Sequence, residues 1–323
     1  MNPIAHILND YPLMILDGAL ATELEQRGCD LRDPLWSAKV LIEAPHLIQQ
    51  VHADYFAAGA DCATTASYQA TFQGFARRGL SETEAAGLMQ LAVRLAVEAR
   101  DEFWANPLNR VGRPKPLVAA SIGSYGAFLA DGSEYSGNYG LSERELIDFH
   151  RPRLAVLAKT EADLLACETI PCLVEAQALA HLLTEFPERW AWISFSAKDS
   201  ARISHGEPLA DCVATLNQSV QVAAVGVNCT APCYVADLVS AARSATTKPI
   251  LVYPNSGEIY RPENSTWRGT REVSTSAEEA HKWYERGARI IGGCCRTTPA
   301  QIQAIASWAR GLKALANYTK SSD

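Results

Sequence analysis

Short apolar runs alternate along the chain with longer stretches in which apolar residues recur every three or four positions. The short runs predict buried strands, and the longer stretches predict amphipathic helices. In the stretch 82–103, for example, Leu88, Leu91, Leu95 and Ala99 share one helical face. A repeated strand–helix alternation of this kind predicts a parallel sheet covered by helices.

Eight predicted strands can be placed along the chain. They begin at Leu13, Cys62, Leu117, Leu164, Trp192, Val222, Ile250 and Arg289. The clearest predicted helices cover 82–103, 143–159, 174–185 and 277–286. Gly59 and Gly287 stand between a helix and the next strand, where glycine often ends a helix.

The number of repeats predicts the fold class. Eight strand–helix units in 323 residues match an α/β fold of one (β/α)₈, TIM-type barrel. The alternative is a doubly wound open sheet, but no Gly-x-Gly-x-x-Gly follows the first strand. We therefore expect a single domain over residues 1–323, with a frayed tail at 317–323.

One segment departs from this alternation. Residues 123–140, after the third predicted strand, exceed a plain strand-to-helix turn and are rich in glycine and tyrosine. Loops of this length in compact domains are often lids or binding loops. The alternative is an Ω-loop packed by its own aromatic side chains. The sequence leaves both readings open, including whether the segment closes over a ligand.

Charge and cysteine content narrow the class of protein. The formal net charge of −7 and the lack of a basic cluster argue against a nucleic-acid partner. No apolar run approaches the roughly 20 residues that cross a bilayer, and residues 1–10 lack a signal peptide's basic residues. Nine cysteines, an odd number, are typical of reduced thiols. We expect a cytoplasmic enzyme with small-molecule substrates and no membrane partner; a monomer is the working expectation.

Polar residues collect where the predicted strands end. Active sites of (β/α)₈ barrels form at the carboxyl ends of the strands, so residues that directly follow a strand are the candidates. They are Asp17, Gly18, Ala19, Thr65, Ser67, Tyr68, Gln69, Glu168, Thr169, Asn228, Cys229, Asn255, Cys294 and Cys295. If the barrel closes, these residues face one common rim.

Three of these candidates are thiols. Cys294 and Cys295 follow two glycines after the eighth strand, and Cys229 ends the sixth. In a closed barrel the sixth and eighth strands flank the seventh, so the three sulfurs can meet. Three thiolates with one open position describe a catalytic zinc site. The alternative is unliganded buried cysteines; Cys233, beyond Pro232, is expected at a helix start rather than at the metal.

The remaining candidates indicate what such a zinc ion would act on. Three thiolates leave a zinc ion with a net charge of about −1, which suits a substrate thiol better than a carbonyl group. Asp17 and Glu168 match a substrate ammonium, and main-chain N–H groups around Gly18 and Ala19 can receive a carboxylate. Together these groups describe a thiol amino acid such as homocysteine. The simpler alternatives are a salt bridge for Glu168 and a helix cap for Asp17.

Five segments together resemble the homocysteine S-methyltransferase family of zinc-dependent (β/α)₈ barrels. They are Leu-Asp-Gly-Ala at 16–19, Leu-Ala-Cys-Glu-Thr at 165–169, Gly-Val-Asn-Cys at 226–229, Tyr-Pro-Asn-Ser-Gly at 253–257 and Gly-Gly-Cys-Cys at 292–295. The resemblance implies that Cys229, Cys294 and Cys295 hold Zn²⁺. It also implies that the homocysteine sulfur takes the fourth position, which Asn255 can occupy when substrate is absent.

The same resemblance implies a set of substrate contacts. Asp17 and Glu168 are expected at the amino group, and main chain near Gly18 and Ala19 at the carboxylate. The full expected substrate-binding set is Asp17, Gly18, Ala19, Glu168, Ser67, Tyr68 and Asn228. The catalytic element is the substrate thiolate held by the three cysteines.

The methyl donor is inferred separately. Residues 67–69 and 125–135 resemble the donor-side segments of the short members that use S-methylmethionine, often also S-adenosylmethionine. Tyrosine faces with Glu134 or Asp131 can favour such a sulfonium cation. Thr169 stands where some betaine-using members have a tyrosine, which argues against that subgroup. The expected reaction is an in-line displacement in which the thiolate attacks the sulfonium methyl group and forms methionine.

Other functions stay open at this point. Selenocysteine can replace homocysteine as the acceptor, and a betaine-linked thiol methyltransferase is a further alternative. A metallohydrolase barrel favours histidine and carboxylate ligands, and no histidine stands at a predicted strand end. A zinc- and thiol-binding barrel without catalysis is the last alternative, and zinc retained without methyl transfer would favour it.

Overall fold

Strands and helices alternate along the chain, and the computed structural model describes residues 1–261, 266–268 and 277–320. The strands are β1 Met14–Ile15, β2 Cys62–Thr64, β3 Leu117–Gly123, β4 Leu164–Ile170, β5 Ala191–Phe195, β6 Val222–Asn228, β7 Ile250–Tyr253, β8 Ile259–Arg261, β9 Thr266–Arg268 and β10 Ala288–Ile291. The α-helices are α1 Pro3–Asp10, α2 Leu20–Gln26, α3 Ser37–Glu43, α4 Pro45–Ala58, α5 Phe72–Ala76, α6 Glu82–Ala105, α7 Tyr125–Leu129, α8 Glu143–Leu157, α9 Leu173–Leu183, α10 Leu209–Leu216, α11 Pro232–Ala245, α12 Ala277–Arg286 and α13 Pro299–Lys320. Short 3₁₀ helices cover Pro107–Arg110 and Ser133–Tyr135.

Eight parallel strands form one sheet that closes on itself. Their order is β1-β10-β7-β6-β5-β4-β3-β2. The seam between β1 and β2 is closed by a parallel bridge from Leu16 to Cys62 and by a 2.7 Å hydrogen bond from Asp61 N to Ile15 O. The predicted (β/α)₈ barrel is therefore confirmed, and the open doubly wound sheet is excluded. The antiparallel hairpin β8–β9 lies outside this sheet.

The barrel strands are buried on both faces, which explains their continuous apolar runs. Met14, Trp192 and Leu251 belong to a buried cluster that fills the barrel interior. Ile4 and Ile7 of α1 pack into the same cluster, so α1 covers the amino-terminal end of the barrel. A larger apolar layer lies between the outer faces of the strands and the surrounding helices. The carboxyl-terminal end of the barrel is the end that remains for a site.

The predicted helices are confirmed, with small shifts at their ends. The stretch predicted at 82–103 forms α6, which begins with a reciprocal capping box between Ser81 and Glu84. Gly59 ends α4 with a φ of 109°, and Gly287 follows α12 with a φ of 119°. Both glycines thus take the left-handed conformation that their positions predicted.

Residues 124–142, which we call the β3–α8 segment, contain more structure than a loop. They include α7 and the 3₁₀ helix Ser133–Tyr135. Tyr125 packs edge-on against Tyr139 at 5.2 Å and against Phe149 of α8 at 4.9 Å between ring centroids. The segment therefore has the internal aromatic packing that the Ω-loop interpretation predicted. It also lines a cavity, as described below.

The C-terminal end of the described chain is helical. α13 continues to Lys320, and the rest of the tail that was predicted to fray, 321–323, lies outside the described residues. Among the helices that the structure describes, none has both the length and the apolar character needed to traverse a bilayer.

Candidate active site

The three predicted zinc ligands meet at the carboxyl-terminal rim of the barrel. Cys229 directly follows β6, Cys294 and Cys295 follow β10, and β7 lies between these two strands. The three sulfur atoms lie within 4.8 Å of one another, and Cys229 Sγ is 3.4 Å from Cys295 Sγ. Cys233 is instead exposed in the first turn of α11. The barrel closure thus joins thiols that are far apart in the sequence.

Gly293 lets the end of β10 run close to its neighbours. A side chain at this position would overlap the hydroxyl of Thr297. The main chain is held on both sides, because Gly293 N donates to Asp17 O at 3.0 Å and Cys294 N donates to Pro254 O at 2.8 Å. A larger residue would displace the cysteine pair from the rim.

The sulfur cluster fits a tetrahedral metal ion. Zinc–sulfur bonds of about 2.3 Å in tetrahedral geometry place ligand sulfurs roughly 3.8 Å apart. The three sulfurs are already close to that spacing. Hydrogen bonds from Cys294 and Cys295 lower the pKa of the Cys229 thiol, which favours the thiolate form that a metal requires. Three protein sulfurs leave the fourth position of such an ion to another ligand.

Glu168 lies near the end of β4 with its carboxylate held by two hydroxyl groups. Ser121 Oγ donates to Oε1, and Tyr253 OH donates to Oε2 at 3.1 Å. Burial raises the pKa of Glu168 to about 7, the two hydrogen bonds oppose this shift, and the charge of Cys229 adds to it. In the described part of the chain, no basic side chain forms an ion pair with this carboxylate. It is a buried anionic group suited to a ligand cation.

Asp17 follows β1 and is buried beside Glu168. Its carboxylate accepts hydrogen bonds from Thr64 N at 2.8 Å and from Thr64 Oγ1 at 3.2 Å. Burial raises the pKa of Asp17, the hydrogen bond from Thr64 N lowers it, and the charge of Glu168 raises it further. The two carboxylates therefore repel each other, and a cation bound next to them would relieve that repulsion. The neighbouring Gly18 and Ala19 line the cavity described next.

A cavity of about 410 Å³ opens beside the cysteines. We call one side the strand wall; it comprises Glu168, Thr169, Asn228, Cys229, Tyr253, Gly293, Cys294 and Cys295. We call a second part of the lining the loop wall; it comprises Asp33, Trp36, Tyr68, Gln69, Gly132, Glu134 and Tyr135. The volume and the mixture of apolar and polar lining are those of a small-molecule site.

The loop wall brings aromatic rings and one carboxylate toward the cysteines. Tyr135 OH lies 3.2 Å from Cys229 Sγ, so the β3–α8 segment reaches the sulfur cluster. Trp36 and Tyr68 contact each other edge-on with ring centroids 5.9 Å apart. Burial raises the pKa of Glu134 to about 7, and its Oε2 is buried without a hydrogen-bond partner in the described structure. A cationic ligand would meet both aromatic faces and this carboxylate.

Two predicted substrate contacts, Ser67 and Asn228, have their polar atoms engaged by the protein. Ser67 is buried, and its Oγ donates to Ser121 O at 2.8 Å, behind the serine that holds Glu168. Asn228 Oδ1 accepts from Thr169 N and Asn228 Nδ2 donates to Thr169 Oγ1, both at 2.8 Å. Thr169 has a φ of 58°, an uncommon conformation for a residue with a side chain. In this structure both residues position the main chain around Glu168, and direct contact with substrate stays a prediction.

Asn255, the predicted spare metal ligand, also has its side chain engaged. Its Oδ1 accepts from Gly257 N at 2.9 Å, and its Nδ2 lies 3.4 Å from Cys229 O. The amide therefore supports the turn that carries Cys229 and does not face the sulfurs with a free oxygen. The side chain that does approach the sulfurs is Tyr135.

Comparison with known proteins gives the family. The model of the homocysteine S-methyltransferase family matches residues 14–309, which is nearly the whole barrel. This chain belongs to the homocysteine S-methyltransferase family. The recognition that rested on five short segments is therefore confirmed over the length of the chain.

Individual relatives place the chain inside that family. It is 62% identical over 313 residues to homocysteine S-methyltransferase YbgG of Bacillus subtilis, covering 97% of this chain and 99% of the relative. It is 48% identical to selenocysteine Se-methyltransferase of Brassica oleracea var. italica, covering 90% and 87%. The crystal structure of homocysteine methyltransferase MmuM from Escherichia coli, metallated form, superposes with a TM-score of 0.85 and 48% identity, covering 95% and 99%. A metal-binding site is thus a property of a solved member of the family.

Three site residues of this homocysteine S-methyltransferase family member were not identified from the sequence. Ser121 and Tyr253 hold Glu168, and Trp36 lines the cavity. Ser121 and Tyr253 lie within predicted strands. The strand pattern alone does not distinguish such residues from buried core residues. Trp36 follows the turn signal Asp33-Pro34, and an aromatic residue in a loop at the carboxyl-terminal rim is the signal that could have found it.

Proposed function

We propose that this chain transfers a methyl group from S-methylmethionine or S-adenosylmethionine to the thiol of homocysteine and so forms methionine. The observation that carries the proposal is the convergence of three thiols and the buried Glu168 carboxylate at the cavity, with the Asp17 carboxylate buried behind its lining. Homocysteine presents a thiol, an ammonium and a carboxylate, which are the groups that this arrangement complements. The Bacillus subtilis and Escherichia coli relatives are named for the same acceptor.

Cys229, Cys294 and Cys295 would hold a zinc ion. Bound there, zinc supplies a cationic centre that lowers the pKa of the substrate thiol and keeps its sulfur nucleophilic near neutral pH. The donor set supports this choice of metal, because thiolates prefer zinc to the hard cations that carboxylates and water bind. The cavity beside the sulfurs gives the substrate thiol access to the same point.

The carboxylates would hold the amino group of homocysteine. The ammonium lies against Glu168, with Asp17 close enough to add attraction, and the substrate carboxylate lies against the main chain of Gly18 and Ala19. Ser121 and Tyr253 fix the Glu168 carboxylate. The amino acid is thereby oriented at one end, and its thiol is presented at the sulfur cluster in one direction.

The reaction is a direct displacement at the methyl carbon. The homocysteine sulfur forms a bond to this carbon while the bond from the carbon to the donor sulfur breaks, and its electron pair leaves with the donor sulfur. The sulfonium donor becomes a neutral thioether, so the leaving group needs no proton and no general acid. Because an anion and a cation cancel in the transition state, a site that excludes water favours the reaction. The protein contributes alignment of the three reacting atoms.

The loop wall would receive the sulfonium donor. Trp36 and Tyr68 offer aromatic surfaces, and Glu134 offers a buried carboxylate oxygen without a hydrogen-bond partner among the described residues. A sulfonium cation is stabilised by both kinds of group. Asp131, the other acidic candidate, is exposed and does not line the cavity. We therefore assign the donor-side charge to Glu134.

The test is methionine formation from defined substrates. Purified, zinc-loaded protein is incubated with homocysteine and S-methylmethionine, and in parallel with S-adenosylmethionine or betaine. Methionine from a sulfonium donor, lost on chelation and restored by zinc, is the expected result. Retained zinc with no methionine from any donor would contradict the proposal and favour a zinc- and thiol-binding barrel.

Selenocysteine is a second candidate acceptor. A relative that is 48% identical over 301 residues is named selenocysteine Se-methyltransferase, which motivates this alternative. The two acceptors differ by one methylene group and by sulfur against selenium, so both fit the same ammonium and carboxylate contacts. Competition between equal concentrations of the two, followed by mass spectrometry of the methylated products, separates them. A large excess of methylselenocysteine over methionine would identify selenocysteine as the preferred acceptor.

A further inference from the structure

A fully buried carboxylate lies behind the loop wall and is not part of the site described above. Glu175 is in the first turn of α9, and its side chain is 0% exposed. Burying a carboxylate is costly unless hydrogen-bond donors surround it. The N-terminal turn of a helix favours a negative charge, but this alone does not explain complete burial. The hydrogen-bond donors around Glu175 therefore identify the elements that this carboxylate connects.

Both ends of the folded part of the β3–α8 segment bind this one carboxylate. Tyr125 N, at the start of α7, donates to Glu175 Oε1 at 2.6 Å. Tyr139 OH, fourteen positions further along, donates to Oε2. The Glu175 side chain therefore connects the two ends of this part of the segment. The two tyrosine rings also contact each other, which adds an apolar layer above the carboxylate.

A third donor connects the carboxylate to the barrel. His150 Nε2 lies 2.8 Å from Glu175 Oε1, and Arg153 Nη2 lies 2.8 Å from His150 Nδ1. A guanidinium only donates hydrogen bonds, so His150 Nδ1 accepts and the proton is on Nε2, which donates to Glu175. Burial lowers the pKa of His150, in agreement with a neutral imidazole. Arg153 also donates to Gly123 O at 2.6 Å, at the end of β3.

The base of the segment is connected directly to the residues that face the cavity. Gly126 in α7 has no side chain, and a Cβ atom there would overlap the main chain of Ser133 and Glu134. The backbone of α7 therefore rests on the 3₁₀ helix that carries Glu134 and Tyr135. A displacement of Tyr125 would be passed to these two residues through this backbone contact, because close-packed groups transmit displacement.

We propose that Glu175 is a positioning residue that fixes the β3–α8 segment over the cavity and thereby sets the affinity for the methyl donor. The second half of this statement rests on the proposed function. The role is geometric: the carboxylate spans Tyr125 and Tyr139 and does not touch the substrates. Glutamine has the same reach, because its oxygen accepts from Tyr125 N and His150 while its NH₂ donates to the Tyr139 oxygen.

The test compares Glu175→Ala, Tyr139→Phe and Glu175→Gln in the zinc-loaded protein. The KM for the donor should rise about 10-fold in Glu175→Ala and about 3-fold in Tyr139→Phe, with less than a 2-fold change in Glu175→Gln. The KM for homocysteine and the zinc content should stay unchanged in all three. A general loss of stability would not produce this division between donor and acceptor.

The chain offers a matched control on the same two helices. Arg151 of α8 pairs with Glu185, just after α9, at 2.9 Å on the exposed surface. Glu185→Ala removes a bond between the same elements without touching the segment, and we expect it to leave both KM values unchanged. If Glu175→Ala does not fold, Tyr139→Phe decides, because it removes one hydroxyl only. An unchanged donor KM in Tyr139→Phe, or equal damage in Glu175→Gln and Glu175→Ala, would overturn the proposal.

Amide hydrogen exchange gives a readout that needs no catalysis. In Glu175→Ala, amides of residues 125–139 should exchange at least about 10-fold faster, while those of α12, on the other side of the barrel, should not change. If the unsubstituted protein forms no methionine, the proposed function fails, and this measurement still tests the anchor. Unchanged exchange in 125–139 would show that Glu175 does not hold the segment.

Discussion

The two walls of the cavity are built in different ways. The strand wall consists of residues at the ends of β4, β6, β7 and β10, whose main chains belong to or directly follow the barrel sheet. The loop wall comes from Asp33 and Trp36, from Tyr68 and Gln69, and from the β3–α8 segment, which depend on side-chain contacts for their position. The three thiols and Glu168, which suit the thiol amino acid, lie on the strand wall, and the groups suited to the donor lie on the loop wall.

This difference separates two tasks within one cavity. Metal-ligand sulfurs need fixed spacing, and main chain within a closed sheet provides it. A donor needs a surface of suitable charge and shape, and loops can supply such a surface without changing the barrel. If this division is correct, substitutions on the strand wall affect metal and acceptor, whereas substitutions on the loop wall affect the donor. Each prediction below tests one side of that division.

The largest effect is expected from Cys294→Ser on the strand wall. Loss of one thiolate should remove the bound metal and reduce kcat/KM for methyl transfer by about 1,000-fold or more. Metal analysis and methionine formation measure the two effects. Cys233→Ser is the matched control, because this thiol is exposed on α11 and outside the cluster. Full metal content and normal turnover in Cys294→Ser would show that the cysteine cluster is not required for metal binding or for methyl transfer.

The second effect is expected from Glu168→Gln. Removing the charge that faces the substrate ammonium should raise the KM for homocysteine roughly 10- to 100-fold and leave the donor KM within about 2-fold. Steady-state kinetics with each substrate varied in turn give both values. Glu161→Gln, an exposed glutamate before β4, is the control. A change confined to the donor KM would reverse the assignment of the two walls.

A smaller effect is expected from Glu134→Gln on the loop wall. The KM for S-methylmethionine should rise about 3- to 10-fold, because a carboxylate near a sulfonium cation is lost, while the KM for homocysteine stays the same. Asp131→Asn provides a control, since Asp131 belongs to the same segment but is exposed. Equal effects in the two variants would mean that general negative charge, and not contact with Glu134, attracts the donor.

The last prediction concerns stability and pH. Burial raises the pKa of Glu168 from 4.5 to about 7, so between these values the folded protein binds more protons than the unfolded chain. The contribution of Glu168 to the free energy of unfolding therefore falls as pH rises from 4.5 to about 7. Above about pH 7 it falls no further, because the carboxylate is then ionised in both states. At pH 8 the free energy of unfolding of Glu168→Gln should exceed that of the parent by on the order of 1–2 kcal/mol. At pH 4.5 the two proteins should be equally stable.

Thermal or urea unfolding at the two pH values measures this gain. Glu161→Gln, whose carboxylate is exposed, should show no such dependence on pH. A variant that is less stable than the parent at pH 8 would mean that hydrogen bonds from Ser121 and Tyr253 outweigh the burial of the charge. If Glu168→Gln is more stable than the parent at pH 8 and also has a higher KM for homocysteine, the native Glu168 lowers stability and strengthens binding of the acceptor.

The sequence predicted the strand wall far better than the loop wall. Apolar runs and their number determine a closed barrel, and closure alone brings Cys229 next to Cys294 and Cys295. The positions of Asp17 and Glu168 at strand ends follow from the same pattern. The engagement of Asn228 and Asn255 could not be predicted, because it depends on left-handed main chain at Thr169 and on the turn at Gly257. Such conformations come from tertiary contacts that no local pattern encodes.

The loop wall depends on contacts between distant side chains. The approach of Tyr135 to Cys229 requires α7 to rest on the 3₁₀ helix, and this requires Glu175 from another helix. The sequence indicated that residues 123–140 were unusual but left a lid and an Ω-loop as alternatives. The segment packs on its own aromatic rings, as the Ω-loop alternative predicted, and it also lines the cavity; its closure as a lid stays a prediction.

The placement of the cysteines along the chain has a consequence for biosynthesis. Cys229 precedes Cys295 by 66 positions, and β7 and α12 are made between them. When Cys229 leaves the ribosome, the other two sulfurs have not been synthesised, so a nascent chain can offer a metal ion only one thiol of the set. A metal ion held by all three sulfurs can bind only after β10 docks beside β7 and β1.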